Sequence, residues 1–134
     1  MATPVGRPAT GLLDTSVFIA TETGRPLGDL PDTPAVSVVT VAELQLGVLM
    51  ADDLGVRAAR SRTLRRLEEL FAPLSIDRSV AGVFAELAAE ARRLGRRPGI
   101  LDALIAATAV AHGLPVYTQD DDFFRIPRVH VVRV

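Results

Sequence analysis

The sequence predicts a three-layer α/β sandwich with a mostly parallel central sheet. Short apolar or β-branched runs of strand length alternate along the 134 residues with longer segments whose apolar residues recur at helical spacing. No internal repeat, low-complexity tract or linker interrupts this alternation. Strands that alternate with helices favour parallel pairing, because each helix carries the chain back across one face of the sheet. A hydrophobic content of 49% supplies the side chains for one core.

The strands are predicted where β-branched or apolar runs are bounded by turn residues. The predicted strands are Gly11–Leu13, Ala35–Val39, Pro115–Thr118 and Arg128–Val134, with a brief additional strand at Leu74–Ile76. Residues 21–34 carry two glycines and three prolines, which predicts a loop or a broken short helix. Residues 1–10 are expected to form a loose N-terminal tail without a signal-peptide core, ahead of one domain that spans residues 11–134.

Helices are predicted in the segments between the strands. One begins near Thr15, and the others span Thr40 to about Met50, Val56–Phe71, Arg78–Arg96 and Ile100–His112. Thr40 and Glu43 have the spacing of a capping box, with the hydroxyl at the helix start and the carboxylate three residues on. The last of these segments is apolar nearly all round and too short to cross a bilayer, so it is predicted to be buried on most sides.

The composition excludes several kinds of chemistry. Acidic and basic residues nearly cancel, 16 against 15, so net charge does not indicate a nucleic-acid or membrane partner. The chain has no cysteine, which excludes disulfides, thiolate metal sites and thiol catalysis, and fits a cytoplasmic protein. All basic residues other than the two histidines are arginine, which excludes mechanisms that need a lysine amine.

Acidic residues stand where predicted strands end or predicted helices begin. Asp14 follows the first strand, Glu43 lies early in the second helix, Asp102 opens the apolar helix, and Asp120–Asp122 follow the Pro115–Thr118 strand. Each has an ordinary structural explanation. Asp14 can cap a helix, Glu43 can complete the capping box, Asp102 can interact with a helix dipole, and three successive acids can form a solvated loop.

Their joint position favours a metal site. Ligands of parallel α/β sheets bind beyond the carboxyl ends of the strands, where these acids can meet. Two unit charges about 4 Å apart repel by roughly 4 kcal/mol at an effective dielectric of ~20, so a crowded set of acids needs either water or a cation. Oxygen ligands without His or Cys select Mg²⁺ or Mn²⁺, and such a site typically activates water for phosphodiester hydrolysis. His112 at a helix end and His130 in a strand have ordinary structural explanations.

At these residues the chain resembles a known family. The segments LLDTSVFIA, SVVTVAELQLGV and GILDALIAATAVAHGLPVYTQDDDF, in this order, are similar to those of the PIN-domain ribonucleases, and within them of the VapC toxins of toxin–antitoxin pairs. The resemblance spans residues 11–134. It implies a PIN-like fold and an endoribonuclease that hydrolyses RNA phosphodiester bonds with a carboxylate-bound metal that activates water.

The resemblance also implies roles for particular residues and partners. The catalytic acids that hold Mg²⁺ or Mn²⁺ are expected to be Asp14, Glu43, Asp102 and Asp120, with Asp122 as an additional metal ligand. Supporting hydroxyls that orient carboxylates or substrate are expected from Thr15, Ser16 and Thr118. The family further implies a homodimer and a cognate VapB-type antitoxin whose C-terminal segment occupies the groove that leads to the site.

One position departs from the commoner family pattern. Gln119 stands between the threonine and the fourth acid, where many relatives carry Arg or His, so a phosphate contact from that position is in doubt. Arginines elsewhere can substitute for it, and two groups of them are candidates for RNA backbone contact or for a solvated face. These groups are Arg57, Arg60, Arg62, Arg65 and Arg66, and Arg92, Arg93, Arg96 and Arg97.

The three successive acids are not expected to be equivalent. Asp120, two residues after Thr118, is predicted to join the metal site. Asp122 is predicted to share its side of an extended chain, whereas Asp121 points away into solvent. Phe123 or Phe124 is expected to pack inward and anchor the loop.

Other classes fit the chain less well. A phospho-acceptor receiver domain needs a lysine, a haloacid-dehalogenase-type phosphatase needs an Asp-x-Asp motif after the first strand, and dinucleotide binding needs a Gly-x-Gly-x-x-Gly turn. The sequence contains none of the three at the required place. The alternative that remains is a catalytically inert PIN-like scaffold that binds RNA or a partner protein.

Overall fold

Four parallel strands form the central sheet of the protein in the computed structural model, which describes residues 10–134. The strands are β1 (Thr10–Leu13), β2 (Thr33–Ala35), β3 (Val116–Thr118) and β4 (Val131–Arg133). Their order in the sheet is β2-β1-β3-β4, and every neighbouring pair is parallel. The predicted parallel α/β architecture is therefore confirmed.

Five α-helices and one short 3₁₀ helix connect and cover these strands. The α-helices are α1 (Thr15–Thr23), α2 (Val38–Met50), α3 (Leu54–Leu70), α4 (Arg78–Arg93) and α5 (Ile100–Ala111), and the 3₁₀ helix is Asp121–Arg125. Helix α5 is buried along most of its length, as its apolar sequence predicts. None of the helices within residues 10–134 combines the length and apolar character needed to cross a membrane.

Alternate residues of the strands supply two separate cores, one on each face of the sheet. Leu12 and Val116 belong to a cluster with buried residues of α4 and α5. Leu13 and Tyr117 belong to a second cluster with buried residues of α1, α2 and α3. This division makes the sheet the middle layer of a three-layer sandwich.

The central position of β1 determines where the candidate site lies. β1 has β2 on one side and β3 on the other, and its last residue, Leu13, is in register with Tyr117 of β3. Because the strands are parallel, the residues that follow them emerge at one edge of the sheet. Asp14 and Thr118 consequently lie beside each other at this edge.

The start of α2 differs from the prediction. The Ala35–Val39 segment is not one strand, because β2 covers Thr33–Ala35 and α2 already begins at Val38. Ser37 is the N-cap, and its Oγ accepts a hydrogen bond from the Val39 amide at 3.0 Å. Thr40 is therefore not a cap but a fully buried residue inside the helix, and the predicted capping box with Glu43 is wrong. Ser37 is as good a cap as Thr40, so local sequence does not distinguish the two.

The boundaries of several other helices and strands also differ from the prediction. The segment predicted as the strand Leu74–Ile76 makes only an isolated bridge from Leu74 to Ser37. Helix α1 extends through Thr23 into the predicted loop and ends at Gly24, whose φ of 73° suits glycine. Thr10 belongs to β1 rather than to the predicted tail, and residues 1–9 lie outside the described residues. The predicted helix Arg78–Arg96 ends at Arg93, and the predicted strand Arg128–Val134 shortens to Val131–Arg133, so His130 precedes it.

Gly11 allows β1 to lie close to the buried ring of Tyr117. A Cβ built on Gly11 would lie 2.7 Å from Cδ1 of that ring, which is closer than such contacts occur. We expect Gly11→Ala to lower the free energy of unfolding by about 1–3 kcal/mol, because the packed ring must shift. Gly47→Ala, inside α2, is the matched control, since a Cβ on Gly47 meets only Cδ of Arg60 at 3.8 Å. It should stabilise the protein by about 0.5–1 kcal/mol. Urea unfolding measures the free energy of unfolding of both variants, and equal changes in the two would contradict the close packing at Gly11.

Candidate metal centre

The hydroxyl of Thr118 connects two of the predicted acids. Thr118 Oγ1 donates a hydrogen bond to Oδ2 of Asp14 at 2.8 Å and accepts one from the amide of Asp120 at 2.8 Å. It also lies 3.2 Å from Oγ of Ser16, which in turn accepts from the Gln119 amide at 2.9 Å. Because a hydroxyl has one donor and two acceptor sites, Thr118 is fully satisfied and its orientation is fixed.

Asp14 is both a helix cap and a buried acid. Its Oδ2 accepts a hydrogen bond from the Ser16 amide at 3.3 Å, so the ordinary structural explanation is correct. The side chain is nevertheless only 4% exposed and turns toward Thr118 at the end of the neighbouring strand. The cap role therefore does not exclude a place in the metal site.

Glu43 is oriented by Thr15 rather than by a capping box. Thr15 Oγ1 donates to Oε1 of Glu43 at 2.7 Å and lies 3.1 Å from the buried Oγ1 of Thr40. The contact joins the start of α1 to the middle of α2, which aims the Glu43 carboxylate at the edge where Asp14 lies. Thr15 and Thr40 thus act as a support for Glu43.

Three acids come close enough to share one ion. Carboxylate oxygens of Asp102, Asp120 and Asp122 all lie within 4.8 Å of one another. Asp102 comes from the first turn of α5, and the other two come from the segment after β3. The argument that Asp122 joins through an extended chain is wrong, because Asp121–Arg125 is a 3₁₀ helix. The Asp122 amide donates instead to Oδ1 of Asp120 at 2.9 Å, which folds the two carboxylates together.

The electrostatics of the site show that all five acids influence one another. The pKa of Asp102 is raised from 3.8 to about 6, chiefly by burial and then by the charges of Asp14, Asp120, Glu43 and Asp122 in that order. Burial likewise raises the pKa of Glu43, against the lowering effect of its Thr15 hydrogen bond, and Asp14 and Asp120 add to the rise. Within residues 10–134, no arginine lies at ion-pair distance from any of the five. Their repulsion is therefore not neutralised by the chain itself.

This donor set fits a hard divalent cation. All five groups offer carboxylate oxygens, which suit Mg²⁺ and Mn²⁺, and neither histidine belongs to the group of three acids. His112 is the C-cap of α5, at the opposite end of that helix from Asp102. A cation at this position would remove the repulsion that raises the pKa of Asp102 and Glu43.

The rim of the site carries a cation that the sequence did not indicate. Nη1 of Arg25 donates to Oε1 of Gln119 at 3.5 Å, and Nε2 of Gln119 donates to the Pro26 carbonyl at 2.9 Å. Gln119 directly precedes Asp120, so this contact joins Arg25, in the loop after α1, to the segment that carries Asp120 and Asp122. Neither sequence neighbourhood predicts this contact, because 94 positions separate the two residues.

The remaining residues of the acidic segment divide as predicted. Asp121 is exposed and forms an ion pair with Arg133 at the end of β4, whereas Phe123 is fully buried and anchors the segment. Phe124 is 51% exposed, and the guanidinium carbon of Arg133 lies over its ring, 5.4 Å from the centroid.

The arginine groups serve several purposes. Arg60 donates to the Gly47 carbonyl at 2.7 Å and so fastens α3 to α2, while Arg96 donates to the Arg125 carbonyl at 3.3 Å. Arg62 and Arg66 line an open groove of about 430 Å³ between α1 and α3. Its apolar lining comes mainly from Leu13, Val17, Phe18, Leu30, Leu67, Leu70 and Phe71.

Comparison with known proteins identifies the family of the chain. Residues 11–129 match the PIN domain. Ribonuclease VapC5 of Mycobacterium tuberculosis is 46% identical over 132 residues, which are 95% of this chain and 97% of that protein. Ribonuclease VapC4 of the same organism is 44% identical over 128 residues, or 92% of this chain and 95% of that protein.

A solved structure gives the same result. The crystal structure of VapBC-5, a member of the VapBC family of toxin–antitoxin systems from Mycobacterium tuberculosis, superposes with a TM-score of 0.84 at 42% identity. The match covers 95% of this chain and all of that one. The chain therefore belongs to the PIN-domain family and, within it, to the VapC ribonucleases.

Proposed function

We propose that this chain is the toxin of a toxin–antitoxin pair, a Mg²⁺- or Mn²⁺-dependent endoribonuclease that acts in the cytoplasm. The observation that carries the proposal is the convergence of Asp102, Asp120 and Asp122, with Asp14 and Glu43 close enough to raise the pKa of Asp102. Carboxylates this close repel one another, and a bound divalent cation would neutralise that repulsion. The ribonucleases that this chain resembles over nearly its full length support the same activity.

The acids and hydroxyls divide the work of the site. Asp14, Glu43, Asp102, Asp120 and Asp122 would hold the metal. The metal, when bound, would polarise a phosphoryl oxygen and lower the pKa of water at the site. Thr118 and Ser16 fix Asp14 against the end of β3, and Thr15 fixes Glu43. These hydroxyls keep the carboxylates in position before any ligand binds. Charges that are preorganised in this way need not rearrange when the reaction takes place.

Arg25 is suited to guide the RNA backbone. A phosphodiester that approaches five carboxylates is repelled, so a nearby cation without an acidic partner aids its approach. Within residues 10–134, Arg25 has no ion pair, and Gln119 holds its guanidinium at the rim. A phosphate contact beside the fourth acid would come here from Arg25, which Gln119 holds.

The proposed partners are an RNA substrate, a VapB-type antitoxin and a second copy of the chain. The VapBC-5 neighbour comes from a toxin–antitoxin system, which supports the antitoxin. The apolar groove between α1 and α3 suits a segment with apolar side chains, and Arg62 and Arg66 on its wall suit acidic ones. Co-purification with the product of an adjacent reading frame checks the antitoxin, and the molar mass in solution checks the homodimer.

RNA cleavage by the purified, antitoxin-free protein should require a divalent metal. We expect cleavage with Mn²⁺ or Mg²⁺, and none with EDTA. Asp14→Asn and Asp120→Asn should each reduce the rate by more than about 100-fold, because even residues behind metal ligands typically contribute 10–100-fold. Asparagine remains a good N-cap, so both variants should keep the fold.

Asp52→Asn is the matched control for this experiment. Asp52 is an exposed acid between α2 and α3, and its substitution should leave the rate unchanged. Cleavage that persists in EDTA and in Asp14→Asn would contradict the mechanism. RNA binding without cleavage of any RNA would support the inert scaffold in its place.

Asp102→Asn should stabilise the metal-free protein at alkaline pH. Burial and neighbouring acids raise the pKa of Asp102 to about 6 in the folded chain from 3.8, so its ionisation opposes folding above about pH 6. That penalty declines as the pH falls from 6 toward 4, where the carboxyl is increasingly protonated in the folded and then also in the unfolded chain. In EDTA we expect Asp102→Asn to melt a few degrees higher than wild type at pH 8. This difference in melting temperature should narrow toward pH 4. A gap independent of pH would contradict this electrostatic origin.

Arg25→Gln should weaken RNA binding, because it removes a contact with the phosphate backbone of the RNA. Loss of one phosphate contact should reduce the slope of log affinity against log salt by about 0.7, the value for single strands. We expect a higher KM with little change in kcat. Arg78→Gln removes an exposed arginine at the start of α4, outside both candidate arginine groups, and serves as the control. Equal salt slopes for the two variants would show that Arg25 makes no specific contact.

A further inference from the structure

Phe124 stands out as an aromatic ring at the surface beside the acids. Of the six aromatic residues of the chain, all within residues 10–134, only Phe124 is exposed, at 51%. Phe123, its neighbour, is fully buried and already anchors the segment. Packing therefore does not explain the second phenylalanine.

Two charged residues fix the ring and the cation beside it. Arg133 lies over the ring, and its Nη2 forms an ion pair with Asp121, which is one 3₁₀ turn before Phe124. Asp121 thus holds Arg133 against Phe124. The three side chains make an ordered surface in which an aromatic face and a guanidinium lie together.

This surface borders the metal centre. Arg133 is the residue in register with Thr118 across the β3–β4 ladder, and Thr118 donates to Asp14. Phe124 follows Asp122 by two residues on the short helix whose N-cap is Asp120. Because a 3₁₀ helix rises about 2 Å per residue, Phe124 lies only about 4 Å beyond Asp122 along the helix axis, which brings it within reach of a nucleotide whose phosphate is at the acids.

We propose that Phe124 and Arg133 form a stacking platform for an RNA base beside the phosphate that is cut. This inference rests on the proposed ribonuclease function and adds a substrate-positioning residue to it. Single-stranded RNA is commonly bound by stacking its bases on aromatic rings and guanidinium planes.

The surroundings favour a nucleotide over a protein partner. Phe124 shares its short helix with the exposed charged residues Asp122 and Arg125, and the guanidinium of Arg133 lies over its ring. A ring beside a guanidinium suits a planar base.

Fluorescence tests the platform directly, because the chain contains no tryptophan. Phe124→Trp, combined with Asp14→Asn to prevent cleavage, is titrated in the presence of Mg²⁺ with a short mixed-sequence single-stranded RNA. A second titration uses an oligomer of the same length that lacks the bases. We expect the bases to quench the indole emission and the abasic oligomer to leave it unchanged. Leu54→Trp, at an 82% exposed site that begins α3, is the matched control and should not respond to either.

Binding of labelled RNA, followed by anisotropy, separates the outcomes. RNA that binds without quenching Phe124→Trp, or equal quenching by both oligomers, overturns the platform and leaves the ribonuclease function standing. Wild-type protein that neither binds nor cleaves RNA overturns both. Emission that depends on protein concentration without RNA assigns Phe124 to a contact between copies and also overturns the platform.

Kinetics provide a second readout. We expect Phe124→Leu to raise KM roughly five- to tenfold at nearly constant kcat, at the lower end of what one stacked base contributes. Phe124→Tyr, which keeps the ring, should restore KM. A fall in kcat with unchanged KM, or no rescue by tyrosine, would assign Phe124 a purely structural role.

Discussion

The repulsion among carboxylates at one edge of the sheet is the constraint on which this structure depends. The parallel strand order brings Asp14 and Asp120 together after β1 and β3, and α5 adds Asp102 to the same edge. Like charges this close repel by roughly 4 kcal/mol per pair at an effective dielectric of ~20. Burial strengthens the effect and raises the pKa of Asp102 and Glu43. A divalent cation bound among these carboxylates would neutralise their repulsion.

Hydroxyl groups keep the acids in place against this repulsion. Thr118 connects Asp14 to the Asp120 amide, and the hydroxyl of Thr15 donates a hydrogen bond to Glu43. These bonds join segments that are far apart in sequence, so they form only when the sheet and helices have packed. The fold and the site are consequently formed by the same contacts. A carboxylate fixed in this way loses little further freedom on binding a cation, which favours affinity.

The sequence predicts the parts of this structure that depend on local pattern. Strand and helix alternation, the buried α5 and the gathering of acids at one edge all follow from periodicity and position. Local signals fail where two residues qualify for one role, as Ser37 and Thr40 do for the cap of α2. Only the folded chain shows that Ser37 caps the helix while Thr40 contacts Thr15. Arg25 escapes prediction because only the folded chain brings it to Gln119.

Direct measurement of metal binding tests the central claim. Antitoxin-free protein is titrated with Mn²⁺ by calorimetry at pH 7.5, without RNA. The fold predicts saturable binding by wild type and by Asp52→Asn, and a loss of at least about tenfold in affinity for Asp102→Asn and Asp120→Asn. Equal Mn²⁺ affinity in all four proteins would contradict the claim that these acids form the metal centre.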